Sequence, residues 1–88
     1  MVVRAVARYF GLAEKQLMGK RTGHRDERAL AMELLYRHAN VHQEEIGRTL
    51  GQLNYTSVSR ERARLRQKLD QKSSLAHAMR AIETKLLS

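Results

Sequence analysis

The sequence has 88 residues, which is the size of one domain with a small core, and we treat residues 1–88 as a single domain. Seventeen Lys and Arg residues against nine Asp and Glu residues give a formal net charge of +8, which favours a polyanionic partner such as nucleic acid. The chain has no Cys and no apolar run of about 18 residues, which excludes a disulfide framework, a thiolate zinc site and a membrane-spanning helix. A soluble cytoplasmic protein without a cofactor is expected.

Helix-forming residues dominate the chain, because Pro is absent and β-branched residues are sparse. We therefore expect an all-α fold of about six helices and no strands. The apolar spacing and the glycines predict helices at about 3–10, 13–18, 25–38, 43–50, 54–69 and 74–87. The second helix is expected to direct both Leu17 and Met18 to the core. A basic loop with two glycines, 19–24, separates it from the third helix.

The helix that starts at Asn54 has the best-defined beginning. Asn is a favourable N-cap residue, and Leu53 and Val58 occupy the two positions of a hydrophobic staple. This start follows a short helix and a tight turn, so that residues 43–69 have the outline of a helix-turn-helix.

Two glycines support this helix-turn-helix. Gly47 lies in the middle of the short helix, where the lack of a side chain allows the next helix to cross closely. Gly51 lies in the turn and can adopt the positive φ that such a turn requires. Both are structural residues and bind nothing themselves.

In a helix-turn-helix the first turn of the second helix meets base edges in the major groove. Asn pairs with adenine, hydroxyls pair with several base edges, and the Thr methyl packs on the thymine methyl. The predicted base-reading residues are Asn54, Tyr55, Thr56 and Ser57.

Basic side chains contact phosphates, which positions a protein without reading sequence. The predicted phosphate contacts are Lys20, Arg21, Arg48, Arg60, Arg62 and Arg64, with the 20–21 pair directed to a neighbouring minor groove.

Each of these residues also has an ordinary structural interpretation. Asn54 could act only as a cap, Tyr55 could pack on the core, and the basic run after Val58 could be a solvated helix face. His38 and His42 stand four residues apart, but a break between them disrupts the helical spacing that a metal site requires. We expect no metal site.

Short motifs along nearly the whole chain match one known pattern. The central ones are Glu45-Ile46-Gly47 and the run Gly-Gln-Leu-Asn-Tyr-Thr-Ser-Val from Gly51 to Val58. Others are a Val-x-x-Tyr-Phe start at Val6, Tyr9 and Phe10, a Leu-x-x-Lys-Arg segment at Leu17, Lys20 and Arg21, and a helix with Arg28, Ala31, Met32 and Leu34. Together they resemble the C-terminal DNA-binding domain of the bacterial replication initiator DnaA. The resemblance implies a fold related to that of Trp repressor.

The reading segment is similar to a second group of proteins. The initiator has Asp-His-Thr-Thr-Val, preceded by Arg, where this chain has Leu53 and the residues from Asn54 to Val58. The run Asn-Tyr-Thr-Ser-Val-Ser, which ends at Ser59, is similar to the DnaA-like tail of transposases associated with repetitive extragenic palindromes, where Asp-Tyr-Ser-x-Val-Ser is typical. That resemblance implies a domain that binds a DNA site in the bacterial nucleoid while a separate nuclease domain cuts.

The sequence contains neither an ATPase phosphate loop nor the paired-His motif of that nuclease class, so that we expect no enzyme in this chain.

The main expectation is sequence-specific binding of double-stranded DNA, with no membrane partner and no small-molecule substrate. The alternatives are a basic module that binds an acidic protein or RNA, and a fragment of an enzyme whose active site lies elsewhere. RNA recognition requires exposed aromatic residues, and the aromatic residues Tyr9, Phe10, Tyr36 and Tyr55 are expected mostly in the core. Target sequence and oligomeric state are left open.

Overall fold

A computed structural model describes residues 2–19, 23–71 and 73–87. Within these ranges the chain forms six α-helices and no strand, which confirms the all-α prediction. The helices are α1 (Val2–Phe10), α2 (Glu14–Met18), α3 (Arg25–His38), α4 (Gln43–Thr49), α5 (Tyr55–Gln71) and α6 (Ser73–Leu87). Each predicted helix is present with small differences at its ends. None of these helices combines the length and the apolar character that crossing a membrane requires.

The third helix lies at the centre of the fold. Its residues 28–34 are all buried, and it contacts α1, α2, α4 and α5. Buried aliphatic side chains from the rest of the chain pack in the same core, among them Val6, Leu17, Ile46, Leu50, Val58, Leu65 and Ile82. Each such side chain stabilises the fold by about 1.5–3 kcal/mol relative to an exposed one. This core is the support on which α4 and α5 rest.

Two expectations about the core are wrong. Leu17 is fully buried, but Met18 is 42% exposed, because the five residues of α2 turn only one of these two neighbours inward. The three tyrosines Tyr9, Tyr36 and Tyr55 are 42%, 47% and 58% exposed. An aromatic ring with a hydroxyl group is stable at a surface where one end stays wet. The aromatic residues therefore do not argue against a nucleic-acid partner.

The crossing of α4 and α5 is close at Gly47. The amide of Leu53 donates a hydrogen bond to the carbonyl of Gly47 at 2.8 Å. A Cβ atom on Gly47 would overlap the carbonyl oxygen of Leu53 and would lie 3.2 Å from a methyl group of Val58. Glycine is the residue that fits here without a shift of the backbone, as predicted.

The turn between the two helices contains two residues with positive φ. Gly51 has a φ of 87°, as predicted, and Gln52 has a φ of 52°, which the sequence does not signal. A left-handed conformation costs a non-glycine residue about 1–2 kcal/mol, so the surrounding contacts must hold it. One of them is the hydrogen bond from the Gly51 amide to the Met18 carbonyl at 3.0 Å, which attaches the turn to the end of α2.

We predict that Gly47→Ala lowers the free energy of unfolding by about 3 kcal/mol or more, because the new methyl group displaces the backbone at Leu53. Gly19→Ala is the matched control, since Gly19 has a φ of −71° and the nearest atom to its added Cβ, the Lys15 carbonyl oxygen, lies 3.8 Å away. Urea denaturation of the two variants measures the difference. Equal stability of the two variants would contradict the close crossing.

Candidate nucleic-acid interface

The N-terminus of α5 is capped by Asn54, as predicted. Its Oδ1 accepts a hydrogen bond from the Ser57 amide at 2.9 Å, and its carbonyl accepts one from the Val58 amide at 3.1 Å. Leu53 packs against the core that includes the fully buried Val58. The cap uses one lone pair of Oδ1 and fixes the orientation of the amide, so an adenine contact through both amide atoms would have to share Oδ1 with the cap. The Nδ2 group remains available as a donor.

The predicted base-reading residues lie together at this helix end. Asn54, Tyr55 and Thr56 are exposed, whereas Ser57 is half-buried. Tyr55 does not pack in the core, because 58% of its surface is exposed. The side chains available to a ligand at this turn are therefore those of residues 54–56, with Ser57 less accessible.

Four exposed residues continue this surface along α5. Residues three, four and seven positions apart share one face of an α-helix. Starting from Thr56, these positions are Ser59, Arg60 and Ala63, and all are exposed. The opposite side carries the buried residues Val58, Glu61, Arg62 and Leu65. We call Thr56, Ser59, Arg60 and Ala63 the outer face of α5.

The outer face contains two residues that the sequence reasoning missed, Ser59 and Ala63. The helical period counted from Thr56 would have found both of them. Further along the same side, Asp70 is exposed, and it lies about 10 Å beyond Ala63 at the rise of an α-helix. A carboxylate repels phosphate, so that the N-terminal half of α5 is the part suited to a polyanion.

Arg62, which we expected to contact phosphate, is directed into the molecule. The residue is 8% exposed, its Nε donates to Glu33 Oε1 at 2.7 Å, and its Nη1 donates to Gln43 Oε1 at 2.8 Å. Its guanidinium also lies over the ring of Tyr36, 3.7 Å from the centroid. We therefore withdraw Arg62 from the expected phosphate contacts and assign it to joining α3, α4 and α5.

Arg64 is also engaged in ion pairs within the fold. It donates to Asp26 Oδ1 at 3.1 Å and to Glu61 Oε1 at 2.9 Å, and its side chain is 28% exposed. Lys68 donates to the same Asp26 oxygen at 2.9 Å, and Arg25 donates to Glu61 Oε2 at 2.8 Å. A phosphate contact by Arg64 would have to replace these pairs, so that we no longer expect one.

The acidic partners in these pairs stay ionised. Burial by itself raises the pKa of Glu33, but hydrogen bonds and positive charge from Arg62 and Arg37 outweigh it, and the pKa lies below its usual value. Burial also raises the pKa of Glu61, but hydrogen bonds from Arg64 and Arg25 outweigh it and lower the pKa. For Asp26, hydrogen bonds from Lys68 and Arg64 outweigh burial in the same way. The inward-facing cations of α5 are therefore paired with ionised carboxylates of α3 and of α5 itself.

Three arginines near this surface are exposed and make no ion pair with any residue in the described ranges. They are Arg48, Arg60 and Arg66. Arg48 and Tyr55 line one open groove of about 570 Å³, which places Arg48 beside the start of α5. Glu44 and Glu45 line the same groove, so two carboxylates offset the charge of Arg48 there. The positive charge available to a polyanion is thus concentrated in a few residues.

Lys20 and Arg21, the remaining predicted phosphate contacts, lie outside the described residues. The preceding residue, Gly19, is close to the helix-turn-helix, because its carbonyl accepts a hydrogen bond at 3.2 Å from Arg28, whose guanidinium lies against Gly51. The first residue of the basic loop therefore lies close to the turn between α4 and α5.

The histidine pair does not form a metal site in the described ranges. His38 Nε2 lies 2.6 Å from Glu83 Oε2, and Arg37 is within 3.8 Å of the same carboxylate. No group of three or more metal-ligating side chains comes together among the residues that the structure describes. His38 thus contributes to the contact between α3 and α6.

We predict that Arg62→Ala lowers the free energy of unfolding by about 3 kcal/mol, because the buried Glu33 keeps only Arg37 as a partner. Arg60→Ala removes an exposed arginine from the same helix and should change stability by about 0.5 kcal/mol or less. Urea denaturation of both variants checks the difference. Equal losses would mean that Arg62 is not structural.

We predict that the protein loses stability in acid below about pH 4, near the ordinary pKa of carboxyl groups. The folded-state pKa values of Asp26, Glu33 and Glu61 are lowered, so the unfolded chain binds more protons in that range. Stability is then fully present above that pH and falls as the pH drops toward the folded-state values. Urea midpoints measured between neutral pH and acid should show this slope, and Asp26→Asn should reduce it. An unchanged slope in the variant would contradict the ion pairs.

No protein-family model, curated protein or solved structure matches this chain. The similarity to DnaA-like domains therefore rests on the motif residues alone. Support for a function comes from the surface formed by α4, the turn and the outer face of α5.

Proposed function

We propose that this chain binds double-stranded DNA in a sequence-specific manner, with α4 and α5 acting as a helix-turn-helix. The observation that carries the proposal is the outer face of α5, which is exposed and free of acidic residues over its whole length. It adjoins a capped helix start with Asn54 and Tyr55. The N-terminal half of α5 lies in the major groove in this proposal.

The dimensions and chemistry of the outer face suit that groove. An α-helix with its side chains is about 10–12 Å wide, and the major groove of B-form DNA is about 12 Å wide. Thr56, Ser59 and Ala63 are small, so that base edges can approach the helix closely. Their hydroxyl and methyl groups are types that pair with base edges and with the thymine methyl.

The distribution of charge supports binding to a duplex in a defined orientation. The exposed arginines Arg48 on α4 and Arg66 on α5 can meet phosphates beside an inserted helix, and Arg60 adds a positive charge to the outer face itself. The acidic residue Asp70 disfavours close contact by the last turn of α5. Each phosphate that is neutralised contributes about 0.9 to the slope of log affinity against log salt concentration.

We further propose that the fold is related to that of Trp repressor and that the chain is the DNA-holding part of a transposase-like or initiator-like protein. The resemblance to DnaA-like domains supports this, and several of its motif residues have structural tasks in this chain. Gly47 permits the helix crossing, Gly51 forms the turn, Asn54 caps α5, and Val58 anchors it in the core.

A selection of bound sequences from a random duplex pool tests the proposal. We predict that Thr56→Ala lowers the preference for the selected duplex over random DNA by about 1 kcal/mol, the value of one neutral hydrogen bond. Ser57→Ala should lower it less, because Ser57 is half-buried. Thr84→Ala on α6, where the exposed hydroxyl donates to the Arg80 carbonyl, is the matched control and should have no effect.

Two results would contradict the proposal. If Thr56→Ala weakens selected and random duplexes equally, the first turn of α5 does not read bases. If RNA or an acidic polypeptide competes as well as the selected duplex, the chain is a basic interaction module of another kind. The exposed Tyr36 and Tyr55 make the RNA competitor a necessary part of the experiment.

A further inference from the structure

We propose that Arg60 reads a guanine in the major groove, instead of contacting phosphate as its place in a basic run suggests. This inference rests on the proposed function and adds the base that one residue recognises. Arginine donates two parallel hydrogen bonds to N7 and O6 of guanine, which is the commonest base-specific contact in protein–DNA complexes.

The position of Arg60 on the helix is the first reason. A helix in the major groove reads bases with residues spaced three, four and seven positions apart. Thr56, Arg60 and Ala63 have this spacing within the outer face, so a helix placed to present Thr56 to the bases presents Arg60 one turn later. From Thr56 to Ala63 the rise is about 10 Å, which corresponds to roughly three base-pair steps.

The second reason is that Arg60 is available while its neighbours are not. Arg62 and Arg64 are held by Glu33, Glu61 and other partners in the fold. Arg60 is exposed and forms no ion pair with the part of the chain that the structure describes. Its neighbour in sequence, Glu61, is buried about 100° away around the helix and pairs with Arg25 and Arg64.

The surroundings of Arg60 are the third reason. Ser59 and Ala63 are the adjoining residues of the outer face, and both are too small to hold the groove wall away from the helix. A long guanidinium side chain between two small ones can extend to the base edges. The other exposed arginine of α5 without an ion pair, Arg66, lies about 120° around the helix from Arg60, at the Ser59 edge of the outer face, where it is suited to a phosphate instead of a base.

The experiment replaces each guanine of the selected duplex in turn by 7-deazaguanine, which lacks the N7 acceptor. For the wild-type chain, one substitution should weaken binding by about 10-fold because one bond of the pair is lost. For Arg60→Ala the same substitution should have no effect. Arg60→Lys keeps the charge but not the paired donors, so it should retain binding to random DNA and lose the preference for that guanine.

Arg66→Ala is the matched control for a phosphate contact. It should weaken selected and random duplexes by the same factor, lower the salt slope by about 0.9, and keep the response to 7-deazaguanine. Thermal unfolding of Arg60→Ala should match the wild type, since the residue is exposed and supports no ion pair.

Several outcomes would overturn the inference. If the selected site contains no guanine, or if Arg60→Ala responds to every 7-deazaguanine as the wild type does, Arg60 does not read that base. If Arg60→Ala weakens selected and random duplexes equally, Arg60 is a phosphate contact. In these cases a selected site still exists, and the proposed function stands. If the wild-type chain selects no sequence at all, the proposed function fails and the inference fails with it.

Discussion

The close contact between Gly47 and Leu53 determines the geometry of the helix-turn-helix. A Cβ atom at Gly47 has no room, so α4 approaches the backbone of the turn directly, and the Leu53 amide bonds to the Gly47 carbonyl. That bond fixes the residue before Asn54 and therefore the point at which α5 begins. Once this start is fixed, the helical period decides which residues of α5 face the core and which form the outer face. The location of the candidate interface is thus a consequence of one backbone contact.

The charges of α5 are divided by the same period. Inward-facing cations such as Arg62 and Arg64 bind the carboxylates of Glu33, Glu61 and Asp26, which hold α5 on α3. The outward-facing Arg60 has no such partner among the described residues. The net charge of +8 therefore overstates the charge that this surface offers to DNA, because part of the basic residues serve the fold. Arg62 and Arg64 position α5 in the fold, whereas the neighbouring Arg60 stays available to a ligand.

Local signals in the sequence were sufficient for much of this structure. The six helices, the Asn54 cap, the positive φ of Gly51 and the role of Gly47 follow from residues that are close together in the chain. The burial of Arg62 could not be foreseen in this way, since its partner Glu33 is 29 residues distant on another helix. The exposure of Tyr36 depends equally on tertiary packing, because its ring lies beside that same arginine.

The hydrogen-bonding groups left at the surface determine which base edges the interface can recognise. Asn54 commits one lone pair of Oδ1 to its own cap, whereas both hydrogens of the donor Nδ2 remain for a base. Arg60 has only donors, and the hydroxyl of Thr56 can donate as well as accept. A surface in which donors predominate is complementary to the acceptors of the major groove, and guanine presents two of them side by side, N7 and O6. The capping of α5 and the reading of a guanine are therefore compatible, since the cap uses an acceptor that such a site does not require.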